Sequence, residues 1–426
     1  MDTIVAQASA RGRAGVSVVR VSGPAAWHVC ETLAGAVPAP RTASLRWLRD
    51  EGGNRLDQAL VLAFREGHSF TGEQLVEFHL HGSIAVVGAV LRTILKIDGV
   101  RPAEAGEFTR RAFDAGRIDL TEVEGLGDLL EAETEAQRKH ALKILEGSLS
   151  RIVETWRADL LEALAMCEAA IDFADEDLPP ETWQLVREPQ ERVTAGIRKE
   201  VAGRSAAELI RDGFEVALIG PVNAGKSTLL NAIAGREAAI TSETAGTTRD
   251  VIEVRMDIGG LAVTLIDTAG LRSTGDAVEK LGIERGQSRA RGADLRVFLK
   301  ARPEDAPIVT DPDDIVLLGR CDLWSQPGIS GKTGEGIEAL LASIRNRLEG
   351  KVNGGSTFSR ERHFARLAQA AGHLENACDE VIKDDPQLEI VAEELRHALF
   401  LLDELVGRVG VEEVLGRIFS SFCIGK

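Results

Sequence analysis

Apolar residues recur along the chain in successive regimes, and each change of period marks a change of architecture. Over positions 1–117, short apolar runs at 16–21, 59–64 and 75–80 have the length and residue types of strands, and a run at 86–97 has a helical period. This region reads as a small α/β domain. From 118 the spacing becomes wholly helical: Leu120, Val123, Leu126 and Leu130, then Ile144, Ile152, Trp156, Leu160 and Leu164, recur at turns of a helix. Pro179 and Pro180 divide that run into at least two long helices, because proline lacks the amide donor a helix interior requires. At Phe214 the pattern changes again, to a continuous apolar run at 216–219 of the kind buried on both faces of a parallel sheet. Strands at 254–256, 262–266, 295–299 and 315–318 then alternate with helices after Lys226, near 281–291 and at 336–348. Helical spacing returns from 358, in Leu367, Leu374, Val381, Leu395, Leu399, Leu402 and Val406, and closes with 411–422.

The expected organisation is an N-terminal α/β domain at 1–117, a first helical part at 118–212, an α/β domain at 213–350 and a second helical part at 351–426. The α/β segment thus interrupts the helical material. An inserted domain needs its two ends close together, so the helices before and after it can pack as one bundle. Linker-like composition is confined to 351–357, with Asn353, Gly354 and Gly355.

Chemistry enters at the end of the first buried strand of the insert. Gly220, Gly225, Lys226 and Ser227 stand in the pattern G-x-x-x-x-G-K-S between a strand and the helix that opens with Thr228. The glycines let backbone amides curl around phosphates, Lys226 adds a point charge, and the Ser227 hydroxyl suits Mg²⁺. About twenty residues on, Thr244, Ala245, Gly246, Thr247 and Thr248 form a switch-like stretch. Asp267, Thr268, Ala269 and Gly270 make a D-x-x-G turn at the end of the strand 262–266. In such an arrangement the Thr248 hydroxyl reaches Mg²⁺ and senses the γ-phosphate, while Asp267 holds the metal through its water shell.

Base recognition departs from the usual pattern. Guanine is selected in such domains by N-K-x-D after a strand, and here that stretch reads Gly319, Arg320, Cys321, Asp322. Asp322 keeps the carboxylate that takes two N–H groups of the base, whereas Gly319 removes an amide and Arg320 changes the stacking stem. Guanine preference should weaken without vanishing. Ser330, Gly331 and Lys332 match the last base-contacting loop and favour GTP over ATP. Where a Ras-like enzyme places the glutamine that orients water, this chain has Leu271, so another group must do so. Glu284, on the helix expected after the switch, is the candidate, acting through a bridging water; the alternative is a solvated helix carboxylate. With Lys226 and Thr248 it completes the candidate catalytic set.

Composition narrows the partners. Of 426 residues, 44% are hydrophobic and 27% charged, as in ordinary folding domains. The net charge of −17 argues against a broad basic surface for nucleic acid, so any RNA contact is local or shared. No leader-like or long apolar run occurs, and Cys30, Cys167, Cys321, Cys378 and Cys423 show no C-x-x-C spacing, which fits a reduced cytoplasm and no membrane partner. Cys423 has no matched base in the sequence and reads as an inert thiol, and the pair His79 and His81 reads as structural.

The flanks carry a specific resemblance. Asp2-Thr-Ile-Val-Ala-Gln7, Arg20-Val-Ser-Gly23, Phe70-Thr-Gly-Glu73, Pro102-Ala-Glu-Ala-Gly-Glu-Phe-Thr109 and the terminal run from Leu415 to Lys426 resemble the tRNA wobble-uridine modification GTPases of the MnmE (TrmE) family, over the whole chain. The resemblance implies an N-terminal folate-binding and dimerisation domain, a helical bundle made from two chain segments, and an inserted Ras-like P-loop G domain. It implies nucleotide contacts from Asn223, Ala224, Gly225, Lys226, Ser227 and Thr228, and from Ser242, Glu243, Thr244, Ala245, Gly246, Thr247 and Thr248. It further implies activation by K⁺ held by Asn223, Ser242, Thr244 and Thr247, replacing an external arginine. A tetrahydrofolate derivative, 5-formyl- or 5,10-methylene-, would meet Arg20, Glu77, Arg117 and Lys426, with Arg117 standing where a lysine is expected. The family acts on tRNA as a homodimer joined to a flavin- and NADH-dependent subunit, a heterotetramer that places an aminomethyl or carboxymethylaminomethyl group on C5 of the wobble uridine. A non-modifying regulatory GTPase of the ribosome-assembly type and a slow nucleotide-binding scaffold remain as alternatives.

Overall fold

The computed structural model describes residues 2–172, 181–235, 253–267, 291–307, 311–324, 326–352, 354–383, 386–410, 412–422 and 424–425. Two compact units divide the chain, Met1–Gly127 with Asp403–Lys426, and Asp128–Leu402. Within the described residues no helix is long and apolar enough to cross a membrane.

The first unit opens with β1 (Thr3–Gln7), β2 (Ala14–Ser22), α1 (Ala26–Ala34), β3 (Ser44–Arg49), β4 (Arg55–Phe64) and β5 (Leu75–Gly82). It continues through α2 (Ile84–Ile94), β6 (Val100–Pro102), α3 (Glu107–Asp114) and the start of α4 (Leu120–Glu131). The described strands form one sheet in the order β3-β4-β5-β2-β1-β6, with only β6 parallel to its neighbour. Val29, Cys30 and Leu33 of α1 and Val87, Val90 and Ile94 of α2 share a core with Val19, Val21, Val76 and Phe78 of the strands, so both helices cover the sheet. The Ser83 hydroxyl caps α2 by accepting from the Val86 amide at 3.2 Å. That helix ends at Ile94, earlier than its apolar pattern reaches, because a turn closes with the Ile97 amide on the Ile94 carbonyl at 3.0 Å.

The second unit begins with α5 (Glu135–Leu145), α6 (Ser148–Asp172), α7 (Glu181–Ala202) and α8 (Arg204–Asp212). An α/β segment follows: β7 (Phe214–Ile219), α9 (Lys226–Ala234), β8 (Glu253–Ile258), β9 (Leu261–Asp267), β10 (Leu295–Lys300), β11 (Ile315–Leu318) and α10 (Ile337–Lys351). Helices resume with α11 (Glu361–Val381) and α12 (Leu388–Val406). The last helix, α13 (Glu412–Ser421), lies in the first unit, where Leu415, Phe419 and Phe422 pack with Leu120 and Val123.

The α/β segment leaves and re-enters the helices at one place. The Ser356 amide donates to the Gly203 carbonyl at 3.1 Å, and one carboxylate, Glu200, accepts from the Ser356 hydroxyl at 2.6 Å and the Thr357 amide at 2.9 Å. Phe358, fully buried, then stacks on Trp156 of α6 with ring centroids 5.9 Å apart, which ties the returning chain to the helix that preceded the insert. Helix α5 supplies a second tie. Its Ala136 amide donates to Gly260 in the β8–β9 turn at 3.1 Å, and Gln137 Nε2 donates to the Arg211 carbonyl at 2.9 Å. On the same helix, burial pushes His140 down to about 4, helped by Lys143 and Arg211.

Phe358→Ala is expected to cost about 3–5 kcal/mol of stability in urea unfolding, whereas Leu185→Ala, at a half-exposed position, stays within about 0.5 kcal/mol. His140 is neutral when folded, and the unfolded chain takes up the proton at the ordinary value of 6.5. Its contribution is therefore complete above pH 6.5 and is lost as pH falls from there to about 4. The stability difference between wild type and His140→Gln should follow that window, and a pH-independent difference would contradict the assignment.

Candidate active site

The strands of the second sheet run in the order β11-β10-β7-β9-β8, with β8 alone antiparallel. The carboxyl ends of the four parallel strands therefore share one edge, where loops of such sheets collect ligands. The loop from β7 to α9 makes three left-handed turns there, at Gly220 (φ 145°), Asn223 (φ 64°) and Gly225 (φ 94°). Gly220 is held to glycine by its neighbour as well, since a Cβ there would lie 2.2 Å from the Leu299 carbonyl.

Inside the loop, Lys226 Nζ donates to the carbonyls of Gly220 at 2.8 Å and Pro221 at 2.9 Å. The lysine is nearly buried, and burial lowers its basicity against the opposing pull of Asp267. Among the described residues the ammonium is held by neutral carbonyls, which leaves its charge available to an anion. Next to it, Ser227 Oγ donates to Asp267 Oδ2 at 2.6 Å, so the first turn of α9 and the end of β9 present a hydroxyl and a carboxylate together. Both are hard oxygen donors of the kind Mg²⁺ prefers. The N-terminal amides of α9 add their dipole at the same point.

A second cluster lies beside the loop. Asp322, Ser330, Gly331 and Lys332 line a cavity of about 190 Å³ together with Ala224 and Thr228. The Ser330 hydroxyl accepts from the amides of Lys332 and Thr333, each at 3.3 Å, which sets the shape of that wall. Gly319 ends β11 so close to the loop that a Cβ would lie 2.1 Å from the Ala224 carbonyl. Arg320 takes a left-handed conformation (φ 55°), and its Nη1 donates to the Asn223 carbonyl at 3.3 Å. The residue read from sequence only as a stacking stem thus ties the wall of this cavity to the crest of the phosphate loop. The signal was present in the sequence, in the loss of the asparagine beside it, but only the chain path shows what took its place.

The structure brings Asn223 to Thr228, Asp267, Asp322 and Ser330 to Lys332 to the two clusters just described. Ser242, Glu243, Thr244, Ala245, Gly246, Thr247, Thr248, Thr268, Ala269, Gly270, Leu271, Glu284, Cys423 and Lys426 lie outside the described residues. In the first unit, Arg20 and Glu77 face each other across β2 and β5 and form an ion pair at 2.8 Å, while Arg20 also donates to the Gly425 carbonyl at 3.5 Å. Arg117 stands against Gly72 of the 70–73 turn. Other motif carboxylates there are taken up structurally: Arg111 bonds Glu73 and Glu107, each at 3.0 Å, and Arg101 bonds Glu107 at 2.6 Å. His79 and His81 stand beside carboxylates, Glu77 at 3.4 Å and Asp57 at 2.7 Å.

Comparison with known proteins agrees over the whole chain. A model of the MnmE helical domain matches residues 120–423, and a model described as the GTP-binding protein TrmE N-terminus matches residues 3–117. The tRNA modification GTPase MnmE of Roseobacter denitrificans is 54% identical over 428 residues, covering 100% of both chains. The proteins of the same description from Cereibacter sphaeroides and Ruegeria pomeroyi are 53% and 51% identical, again over 100% of each chain.

Arg320→Ala removes one hydrogen bond of about 1 kcal/mol and should weaken guanine nucleotide binding about fivefold in a fluorescence titration. Gly319→Asn, which restores the common motif residue, is expected to weaken binding and lower the melting temperature, since its Cβ meets the Ala224 carbonyl. Tighter binding by that variant would show that the turn relaxes to admit a side chain.

Proposed function

The chain belongs to the MnmE family of tRNA modification GTPases, and from that premise we propose that it is a K⁺-activated GTP hydrolase that works with a flavin-dependent partner on C5 of the wobble uridine. The supporting observation is the pairing of Ser227 with Asp267 beside the buried ammonium of Lys226. Lys226 would exchange its two loop carbonyls for phosphate oxygens, and the α9 amides would hold the same group in line for attack by water. Water adds to the γ-phosphorus as the bond to the β-phosphate oxygen breaks, leaving GDP and phosphate.

Ser227 and Thr248 would hold Mg²⁺, which would supply positive charge against the phosphates. Asn223 sits exposed at the left-handed crest of the loop, a position that favours its role as a K⁺ ligand, with Ser242, Thr244 and Thr247 completing the set. The cation would supply the positive charge that an arginine otherwise brings. Glu284 orients the attacking water through a bridging water, since Leu271 cannot. Asp322 reads the base, with Ser330, Gly331 and Lys332 closing the pocket and Arg320 strapping it to Asn223.

In the first unit, Arg20, Glu77, Arg117 and Lys426 would take a tetrahydrofolate derivative, which supplies a one-carbon unit. The half-buried Arg20–Glu77 pair offers both donors and acceptors beside the Gly425 carbonyl, which suits a ring rich in N–H groups with an acidic tail. Two copies would dimerise through this unit and join a flavin- and NADH-dependent subunit into a heterotetramer acting on tRNA. With a charge of −17 on this chain, the partner would carry most of the RNA-binding charge.

GTP turnover should be faster in KCl than in NaCl at equal ionic strength, and Glu284→Ala should lower it by about 10²-fold or more. Equal rates in the two salts would overturn the K⁺ assignment. Nucleoside analysis of tRNA from a deletion strain should show unmodified C5 at uridine 34, and unchanged chemistry there would overturn the role in modification.

A further inference from the structure

Apart from both sites already described, α11 and α12 bring three metal-ligating side chains together. His373 on α11 faces Glu394 and His397 on α12. His373 Nδ1 lies 2.5 Å from Glu394 Oε2, and the His373 and His397 rings are 5.0 Å apart at their centroids, tilted by 39°. One ligand atom from each residue lies within 4.8 Å of the others. We propose that these residues form a three-ligand site for a divalent transition-metal cation of the zinc class, with a fourth position open to water.

The spacing supports the assignment. Glu394 and His397 are three residues apart on one helix, so they project from the same face. His373 approaches from the other helix and completes a triangle. Nitrogen and carboxylate ligands of zinc sit about 2.0–2.2 Å from the ion, so tetrahedral ligand atoms stand about 3.4 Å from each other. The three side chains are 33%, 21% and 53% exposed, which leaves them rotamer freedom to close that difference. Two imidazoles and one carboxylate match the His₂Glu set of zinc sites that keep an open position.

Ligand chemistry separates this site from the nucleotide site. Imidazole nitrogens select zinc, cobalt, nickel or copper, whereas a hydroxyl and a carboxylate at the phosphate loop select Mg²⁺. Glu393 lies 3.5 Å from His397 Nε2 and is itself bonded at 3.1 Å by Arg396, so a neighbouring carboxylate is available to orient that ring. Bound metal would cross-link α11 to α12 and stabilise the helices that follow the re-entry of the inserted segment, because it binds the folded state and not the unfolded one.

The test uses the full-length chain, stripped with chelator and held with GDP and excess Mg²⁺ so that the phosphate loop is filled. Titration with Co²⁺ should give one equivalent with the d–d absorption of a nitrogen and oxygen environment, displaced by Zn²⁺. His373→Gln and His397→Gln should each weaken binding about 10- to 100-fold, and Glu394→Gln should do the same if either histidine variant melts early. Wild type should melt higher with Zn²⁺ than without, and the variants should not respond. A sulfur-to-cobalt charge-transfer band with affinity unchanged in the histidine variants would place the metal on cysteine and overturn the proposal. Absence of binding at micromolar Co²⁺ would overturn it as well.

Discussion

Glu200 holds the neck through which the chain passes into the inserted α/β segment and back. Its carboxylate bonds the Ser356 hydroxyl and the Thr357 amide while Ser356 also bonds the Gly203 carbonyl, so the outgoing and returning strands are joined within one helical turn. Beyond the neck α7 and α11 lie side by side, joined by the ion pair of Arg198 with Glu375, and Phe358 stacks on Trp156. Further ties join the inserted sheet to the helices beside the neck: the Ala136 amide of α5 on the Gly260 carbonyl, the ion pair of Arg255 with Glu133, and the packing of Ala136 and Leu209 against the sheet's core.

The second unit carries two contrasting electrostatic arrangements. At the phosphate loop a nearly buried ammonium is held by two carbonyls with an aspartate nearby, an arrangement that suits a multiply charged anion. On α11 and α12 the reverse holds, with two imidazoles and two acidic residues gathered on facing surfaces, which suits a cation. The cavity beside the phosphate loop is shaped by backbone proximity: Gly319 approaches Ala224, and Arg320 spans to Asn223. At this position the backbone leaves no room for a side chain, since a Cβ on Gly319 would lie 2.1 Å from the Ala224 carbonyl.

How much of this could be read in advance varies with the range of the interaction. The phosphate loop was legible because strand, glycines, lysine and helix are consecutive, and their chemistry is local. The buried runs at 216–219 and 262–266 were legible because strands covered on both faces carry unbroken apolar sequence. Strand β3 was not, since its face alternates with exposed Leu45 and Trp47, and neither was the three-residue β6, which exists only through its pairing with β1. The carboxylates Glu73 and Glu107 stood out in sequence as motif residues, yet nothing local showed that both are bound by Arg111.

By itself the sequence determined the order of architectures, the phosphate-binding loop and the resemblance of both flanks, because each rests on neighbouring residues whose spacing carries the physics. Tertiary structure alone decided which distant groups meet: Ser227 with Asp267, Arg320 with Asn223, Glu200 with Ser356, and His373 with Glu394 and His397. It also decided that α13 packs with Leu120 and Val123 in the first unit, although its helical period continues that of α12. Periodicity states which face of a helix is apolar, but the partner of that face is chosen by the path of the whole chain.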